Sequence, residues 1–280
     1  MIAEDIDLHQ CITEKIIAML EEGTVPWQTS WLGKEVPQNL LTKRPYRGIN
    51  VLLLSNLTYA RNLFLTESQL DQVGGSVLPG ELPHVVVMER SEKKLNPYEV
   101  YNISQCRLPQ ELIPRFTVED DPIGICHRIV ARMPQRPPIV HNNRQLFYMI
   151  ENDVIDIQEL DYYDSVMEFF ADLFGALVAS TAHKTRLDRT EMVKRGRIDP
   201  SLLELENLIQ EIGCWFLKSV AGIESQVYTS QAYIRHWVKQ MRSNSHIIFT
   251  ACSLAQEAVD YILGTQVSEN DYFEDQELPF

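Results

Sequence analysis

The chain has 280 residues, of which 45% are hydrophobic and 23% charged, and it carries a formal net charge of −14. That length and composition suit one large or two modest globular domains, and the strong acidity excludes a protein that holds a polyanion through its overall charge. Five scattered cysteines without a CxxC pair exclude a disulfide framework, and no apolar run approaches the ~20 residues of a membrane span.

With no basic leader ahead of an apolar stretch, a soluble protein of the cytoplasm is expected. The charge is uneven. Residues 1–150 hold 15 Lys and Arg against 17 Asp and Glu, a balance of −2, while residues 151–280 hold 10 against 22, a balance of −12. The first half can face a polyanion locally; the second repels one.

In chain order, "DIDLHQCITEKIIAMLEEG" has Ile12, Ile16 and Leu20 at helical spacing and a stopping Gly23. "TVPWQTSWLGKEVPQNLLTKRPYRGIN" reads as a long loop, and "NVLLLSNLTYARN" as a buried helix. "TESQLDQVGG" reads as a short helix capped by Thr66. "HVVVMER" and "YEVYNIS" read as two strands joined by a charged loop. "DPIGICHRIVARMP" reads as a helix with Pro122 in its first turn. Two short strands follow, "RQLFYMI" and "DVIDIQ".

The chain then turns helical. Ser165 and Glu168 have capping-box spacing, ahead of Phe169, Phe170, Leu173, Phe174 and Leu177. Further helices are expected from Asp199–Pro200, over "SQAYIRHWVKQM" and over "HIIFTACSLAQEAVDYILG". The class is α+β, with a boundary near residues 115–125.

Several stretches occur in the same order as in one family. "EEGTVPWQTSW", "TKRPYRGINVLLL", "LTESQLDQVGGSV" and "YEVYNISQC" resemble the N-terminal domain of ArdC-type antirestriction proteins, and "FFADLFGALVASTAHKTRLDR", "ENLIQEIGCWFL" and "SQAYIRHWV" resemble that family's zincin-like metallopeptidase domain. The resemblance implies an N-terminal α+β domain that binds single-stranded DNA, over residues 1–118. It also implies a mostly helical zincin-like domain with a small sheet, over residues 119–264, and residence on a plasmid or other mobile element. Residues 265–280 form an acidic tail.

In the family this second domain carries H-E-x-x-H. Two histidines at i and i+4 reach one zinc from the same helix face, and the glutamate serves as general base on the metal-bound water. Here the three positions read Gly175, Ala176 and Ala179. Glu206 or Glu211 stands where the family supplies a third ligand, and one carboxylate cannot hold zinc alone. A relocated site built from His183, Asp172 and Glu211 fails on geometry, because Asp172 and His183 lie about 16 Å apart along a helix axis. The expectation is therefore no metal, no cofactor and no peptidase activity.

For nucleic acid, the candidates are Trp27, Trp31, Lys43, Arg44, Tyr46 and Arg47, which combine cations with aromatic platforms as single-strand binders do. Leu78, Pro79 and Leu82 replace cations that family members carry after the paired glycines, so weak binding is expected. A second basic run, Lys184, Arg186, Arg189, Lys194, Arg195 and Arg197, reads as the one cationic patch of the acidic half. The tail ends Leu278-Pro279-Phe280 behind several acids. That ending resembles the partner-recruiting tip of bacterial single-strand-binding proteins and is the candidate contact for a DNA-processing protein. The alternative function is an acidic interaction or DNA-mimic module that binds such an enzyme without touching DNA, although −12 over that half is mild for mimicry.

Overall fold

The structure, a computed structural model, describes residues 7–30, 35–89, 95–115, 121–142, 147–196, 199–225 and 229–265. Its helices are α1 (Leu8–Glu21), α2 (Ile49–Ser55), α3 (Glu67–Gln72), α4 (Pro122–Arg132), α5 (Val166–Ser180), α6 (Thr190–Gly196), α7 (Pro200–Ala221), α8 (Gln231–Ser243) and α9 (Ile247–Leu263). Its strands are β1 (Gln38–Asn39), β2 (Leu63–Leu65), β3 (Ser76–Val77), β4 (His84–Glu89), β5 (Leu95–Asn102), β6 (Cys106–Arg107), β7 (Ile139–Val140), β8 (Phe147–Met149) and β9 (Val154–Asp156). The fold is α+β. It forms two compact units, Met1–Pro122 with Lys218–Leu254, and Ile123–Leu217 with Ala255–Phe280. Among the described residues no helix is long and apolar enough to cross a membrane.

In the first unit the strands run in the order β1-β2-β5-β4, with β1 parallel to β2 and the other pairs antiparallel; β3 and β6 form a separate ribbon. β4 and β5 are the two strands that the sequence pattern indicates. The helix expected to reach Asn62 stops instead at Ser55. There Asn56 turns its side-chain amide onto the carbonyls of Leu52, at 2.7 Å, and Pro26, at 3.1 Å. This occupies a carbonyl that a further helical turn would need. The apolar residues after the stop, Leu63, Phe64 and Leu65, enter the sheet as fully buried β2. α3 begins as Thr66 suggests, with a reciprocal capping box to Gln69.

The end of this sheet is tied by a polar clamp. Arg61 pairs with Glu35 and donates to the Pro114 carbonyl, and the Asn62 and Asn102 amides donate to the carbonyls of Glu35 and Arg61. The Arg61 guanidinium and the Asn62 and Asn102 amide N–H groups thereby gain partners that replace water.

α8 belongs physically to this first unit, although the division at 118/119 assigns its sequence to the second domain. The reason lies in its buried face, Ile234, Trp237, Val238 and Met241. Trp237 meets Trp27 edge-on, at 6.1 Å between ring centroids. The Trp27 indole donates to Tyr233 Oη at 3.1 Å, Thr229 donates to Gln28 Oε1 at 2.6 Å, and Thr13 of α1 donates to the Ser245 carbonyl at 2.8 Å. The N-terminal helix and the Pro-Trp turn are thus completed by residues far along the chain.

In the second unit β7, β9 and β8 form a small sheet in that order, parallel then antiparallel. Ser165 caps α5 by accepting from the Glu168 N–H at 3.2 Å. The Arg186 guanidinium, almost fully buried, donates to the carbonyls of Ser180 and Gln135, to Tyr148 and to the Asp153 carboxylate, locking the segment after α5 onto the sheet.

Trp237→Ala should cost about 3–5 kcal/mol, the range for emptying a buried aromatic site. A fragment ending at residue 118 should lack a cooperative thermal transition, because α1 and Trp27 lose the surface that buries them. Calorimetry on both checks this, and a sharp transition in the fragment would refute it.

Candidate functional site

Apolar residues at helical spacing give α5 one strongly buried side, Phe170, Leu173, Phe174, Leu177 and Val178. Gly175 and Ala179 lie on the opposite, half-open side, next to exposed Asp172. Ala176 is 5% exposed and faces the packed side. A Cβ added at Gly175 would meet nothing within 4 Å. Gly213 of α7 is the opposite case, because a Cβ there would come within 2.8 Å of Val178 Cγ1. Helices α5 and α7 therefore approach closely at Gly213, and Cys214 donates its thiol to the Ala171 carbonyl at 3.2 Å on the same seam. α5 ends where Ser180 and Thr181 turn their hydroxyls back onto the carbonyls of Leu177 and Val178.

The polar groups around this helix are engaged with one another. Glu206, 2% exposed, takes a two-pronged bond from Arg189, at 3.0 Å from Nε and 2.9 Å from a terminal nitrogen. Arg189 also donates to Thr181 at 3.1 Å. Both Glu206 oxygens are thus held by a buried cation, which removes Glu206 as a third metal ligand and leaves Glu211, half-buried on α7, as the carboxylate the family pattern offers.

Asp172 accepts from the Tyr163 hydroxyl at 3.2 Å. Burial raises its pKa, with the Tyr163 bond opposing. His183 faces Thr185 at 2.9 Å and Asp153 at 3.7 Å. Asp153 is pulled up by burial, but its bonds from Arg186 and Tyr148 outweigh that and set its pKa below the ordinary value. Asp172 and His183 thus belong to separate networks. Among the described residues no group of three His, Cys, Asp or Glu side chains could hold a metal ion.

The nucleic-acid candidates divide. Trp27, expected as a stacking platform, is 1% exposed and anchors the Pro-Trp turn; this corrects the expectation, because a ring enclosed by Trp237 and Tyr233 cannot receive a base. Trp31 lies outside the described residues. Lys43 is exposed at the tip of a tight turn whose Asn39 side chain accepts from the N–H groups of Leu41 and Thr42 at 3.0 Å. Arg44, Tyr46 and Arg47 are half-buried beside it, Tyr46 lying edge-on to Phe64. Leu78-Pro79-Gly80 forms a turn closed by the Glu81 N–H on the Leu78 carbonyl, and Leu82 stands out at 76% exposure.

Among the described residues, the second basic run is divided, with Lys184 exposed and two of its arginines internal. Arg186 and Arg189 are internal, and exposed Lys194 pairs with Glu191 at 3.2 Å. Sequence reasoning missed the cations of α8, where Arg235, Lys239 and Arg242 share an exposed face. Their spacing of four and three residues was the available signal. Arg197 and the partner candidates Leu278, Pro279 and Phe280 lie outside the described residues.

These features define a class: an α+β protein of two units, the second built around helix α5, which carries Gly175, Ala176 and Ala179. Residues 6–106 match the model for the N-terminal domain of anti-restriction factor ArdC, and residues 131–254 match that for a zincin-like metallopeptidase domain. The chain belongs to the ArdC-type antirestriction protein family. The antirestriction ArdC protein from plasmid R388 is similar over 92% of this chain, with a TM-score of 0.73, at 26% identity to its metal-free structure and 28% to its Mn(II)-bound one, of which 97% and 98% are covered. The uncharacterised protein y4eC of Sinorhizobium fredii is 25% identical over 93% of this chain and 92% of its own length. A DNA primase TraC of Escherichia coli is 22% identical over 91% of this chain, which spans 27% of that protein.

Gly175→Ala should stabilise the protein by about 0.5–1 kcal/mol, since the methyl meets open space and a helical glycine is costly. Arg189→Ala should destabilise by about 3–5 kcal/mol by stranding buried Glu206, and a paired Arg189→Met, Glu206→Leu change should cost less. Urea titrations of the three variants read both effects, and an unchanged midpoint for Arg189→Ala would show the pair to be unimportant.

Proposed function

We propose that this chain is a non-catalytic ArdC-like protein of a mobile element, with weak affinity for single-stranded DNA and an antirestriction-type or accessory role. The observation that carries this reading is the composition of the α5 frame. α5 lies within the residues that match a zincin-like domain, while Gly175, Ala176 and Ala179 offer neither an imidazole nor a carboxylate. Without two ligands four residues apart, no water can be activated on zinc, and without the glutamate no general base stands beside it.

Support for DNA as the partner is compositional and comparative. The N-terminal segment matches the ArdC N-terminal domain, it is close to neutral in a chain of −14, and Lys43, Arg44, Tyr46 and Arg47 gather on and beside one turn. Affinity should be low because Leu78, Pro79 and Leu82 supply no cations, and fewer neutralised phosphates mean fewer released counterions. Relatives include a plasmid-borne antirestriction protein and a DNA primase, which fits residence on a mobile element.

Elemental analysis of the purified chain should find no stoichiometric zinc, and one tightly held zinc per chain would overturn the non-catalytic reading. With Gly175→His and Ala179→His together, added zinc should raise the melting temperature, Glu211 serving as third ligand; the wild type should not respond. Fluorescence anisotropy with a labelled single strand should show binding that falls with salt. Replacing Arg44 and Arg47 with alanine should flatten that dependence by about 0.7 per lost phosphate contact. Absence of binding at low salt would overturn the DNA reading.

A further inference from the structure

α8 carries a charge pattern unlike the rest of its half of the chain. Between Glu224 and Glu257 the sequence holds no carboxylate side chain, yet it places Arg235, Lys239 and Arg242 at i, i+4 and i+7. At 100° per residue these three lie within one narrow stripe, spread over about 10 Å of helix axis. All three are exposed, while Ile234, Trp237, Val238 and Met241 bury the other side.

Beside the stripe runs an open groove of about 660 Å³. Its lining combines Ile234 and Val238 with the three cations of α8 and Glu21 of α1. Glu21 meets Arg242 at 2.7 Å in an exposed pair. Among the described residues, Arg235 and Lys239 make no ion pair. The same helix packs its opposite face on Trp27, so the stripe is part of the unit that contains the ArdC-type N-terminal segment.

Resting on the reading of the chain as a single-strand binder, we propose that this face of α8 contacts the phosphodiester backbone of the bound strand, and that Glu21 competes with the strand for Arg242. The charge logic is direct. A chain of −14 repels a polyanion at long range, so contact must occur where cations stand together without intervening carboxylates. Flexible cations along one groove suit a backbone that repeats a single charge, and the apolar lining accepts sugar and base faces without reading sequence. Arg242 already donates to one anionic oxygen, Glu21 Oε1, and a phosphate presents an anionic oxygen of the same kind.

The test uses the full chain and a labelled oligothymidylate, titrated at several salt concentrations. Arg235→Ala with Lys239→Ala should weaken binding roughly tenfold at 0.1 M salt and flatten the slope of log K against log salt by about 1.4, two single-strand contacts at 0.7 each. Arg235→Lys should retain binding. Glu21→Gln should strengthen it about two- to fivefold by releasing Arg242 from an exposed pair. The changed side chains are exposed and alanine favours helix, so melting temperatures should stay at the wild-type value. If the wild type binds and the Arg44/Arg47 variant loses affinity while the Arg235/Lys239 variant does not, the α8 contact is refuted and the DNA reading stands. If the wild type does not bind at all, both fall. A weaker rather than stronger Glu21→Gln variant would refute the competition.

Discussion

The contact between Trp27 and α8 is the constraint on which the first unit rests. Two indoles at right angles, one bonded through its N–H to Tyr233, bury aromatic surface that neither the N-terminal helix nor the sheet can cover alone. Residues separated by some two hundred positions thereby make one core. The family boundaries and the physical units consequently disagree. The zincin-like match runs through residue 254, but residues Lys218–Leu254 pack in the unit that contains the ArdC-type N-terminal segment. Single-strand binding, if carried by this unit, is a property of both ends of the chain and not of an excisable N-terminal piece.

The second unit is ordered around α5 by buried contacts of its own. Its order comes from contacts that involve no zinc position. Gly213 admits Val178 at a distance no larger residue allows, Arg189 and Glu206 neutralise each other in the interior, and Arg186 ties the strand and helix ends. None of these uses residue 175, 176 or 179.

What the sequence made legible follows from where the signals are local. α1, α5 and the β4–β5 pair have periods that repeat several times, and the caps at Thr66 and Ser165 are read from residues three apart. The two-residue strands β1, β3, β6 and β7 have no period to read. β2 was masked because Leu63–Leu65 continues an apolar run that fits a helix equally well until Asn56 ends it. The site divides in the same way. Gly175, Ala176 and Ala179 are read from the chain itself, whereas the burial of Trp27, Arg186 and Arg189 is decided by Trp237, Asp153 and Glu206, distant residues that no local pattern identifies. Arginine in a basic run looks solvated until its carboxylate is found.

The open space at Gly175 has a mechanical origin in the same unit. A helix that loses large side chains from one face can lean into the gap and refill it, and cores usually relax in part when they can. Here the separation of α5 and α7 is fixed at Gly213, where Val178 already sits at closest approach, and at the Cys214 bond to the Ala171 carbonyl. Any side chain at position 213 would push α7 away from Val178. The face carrying Gly175 and Ala179 therefore keeps its clearance whether or not imidazoles occupy it. In this chain the clearance at Gly175 accompanies a helix seam whose spacing is set elsewhere, at Gly213.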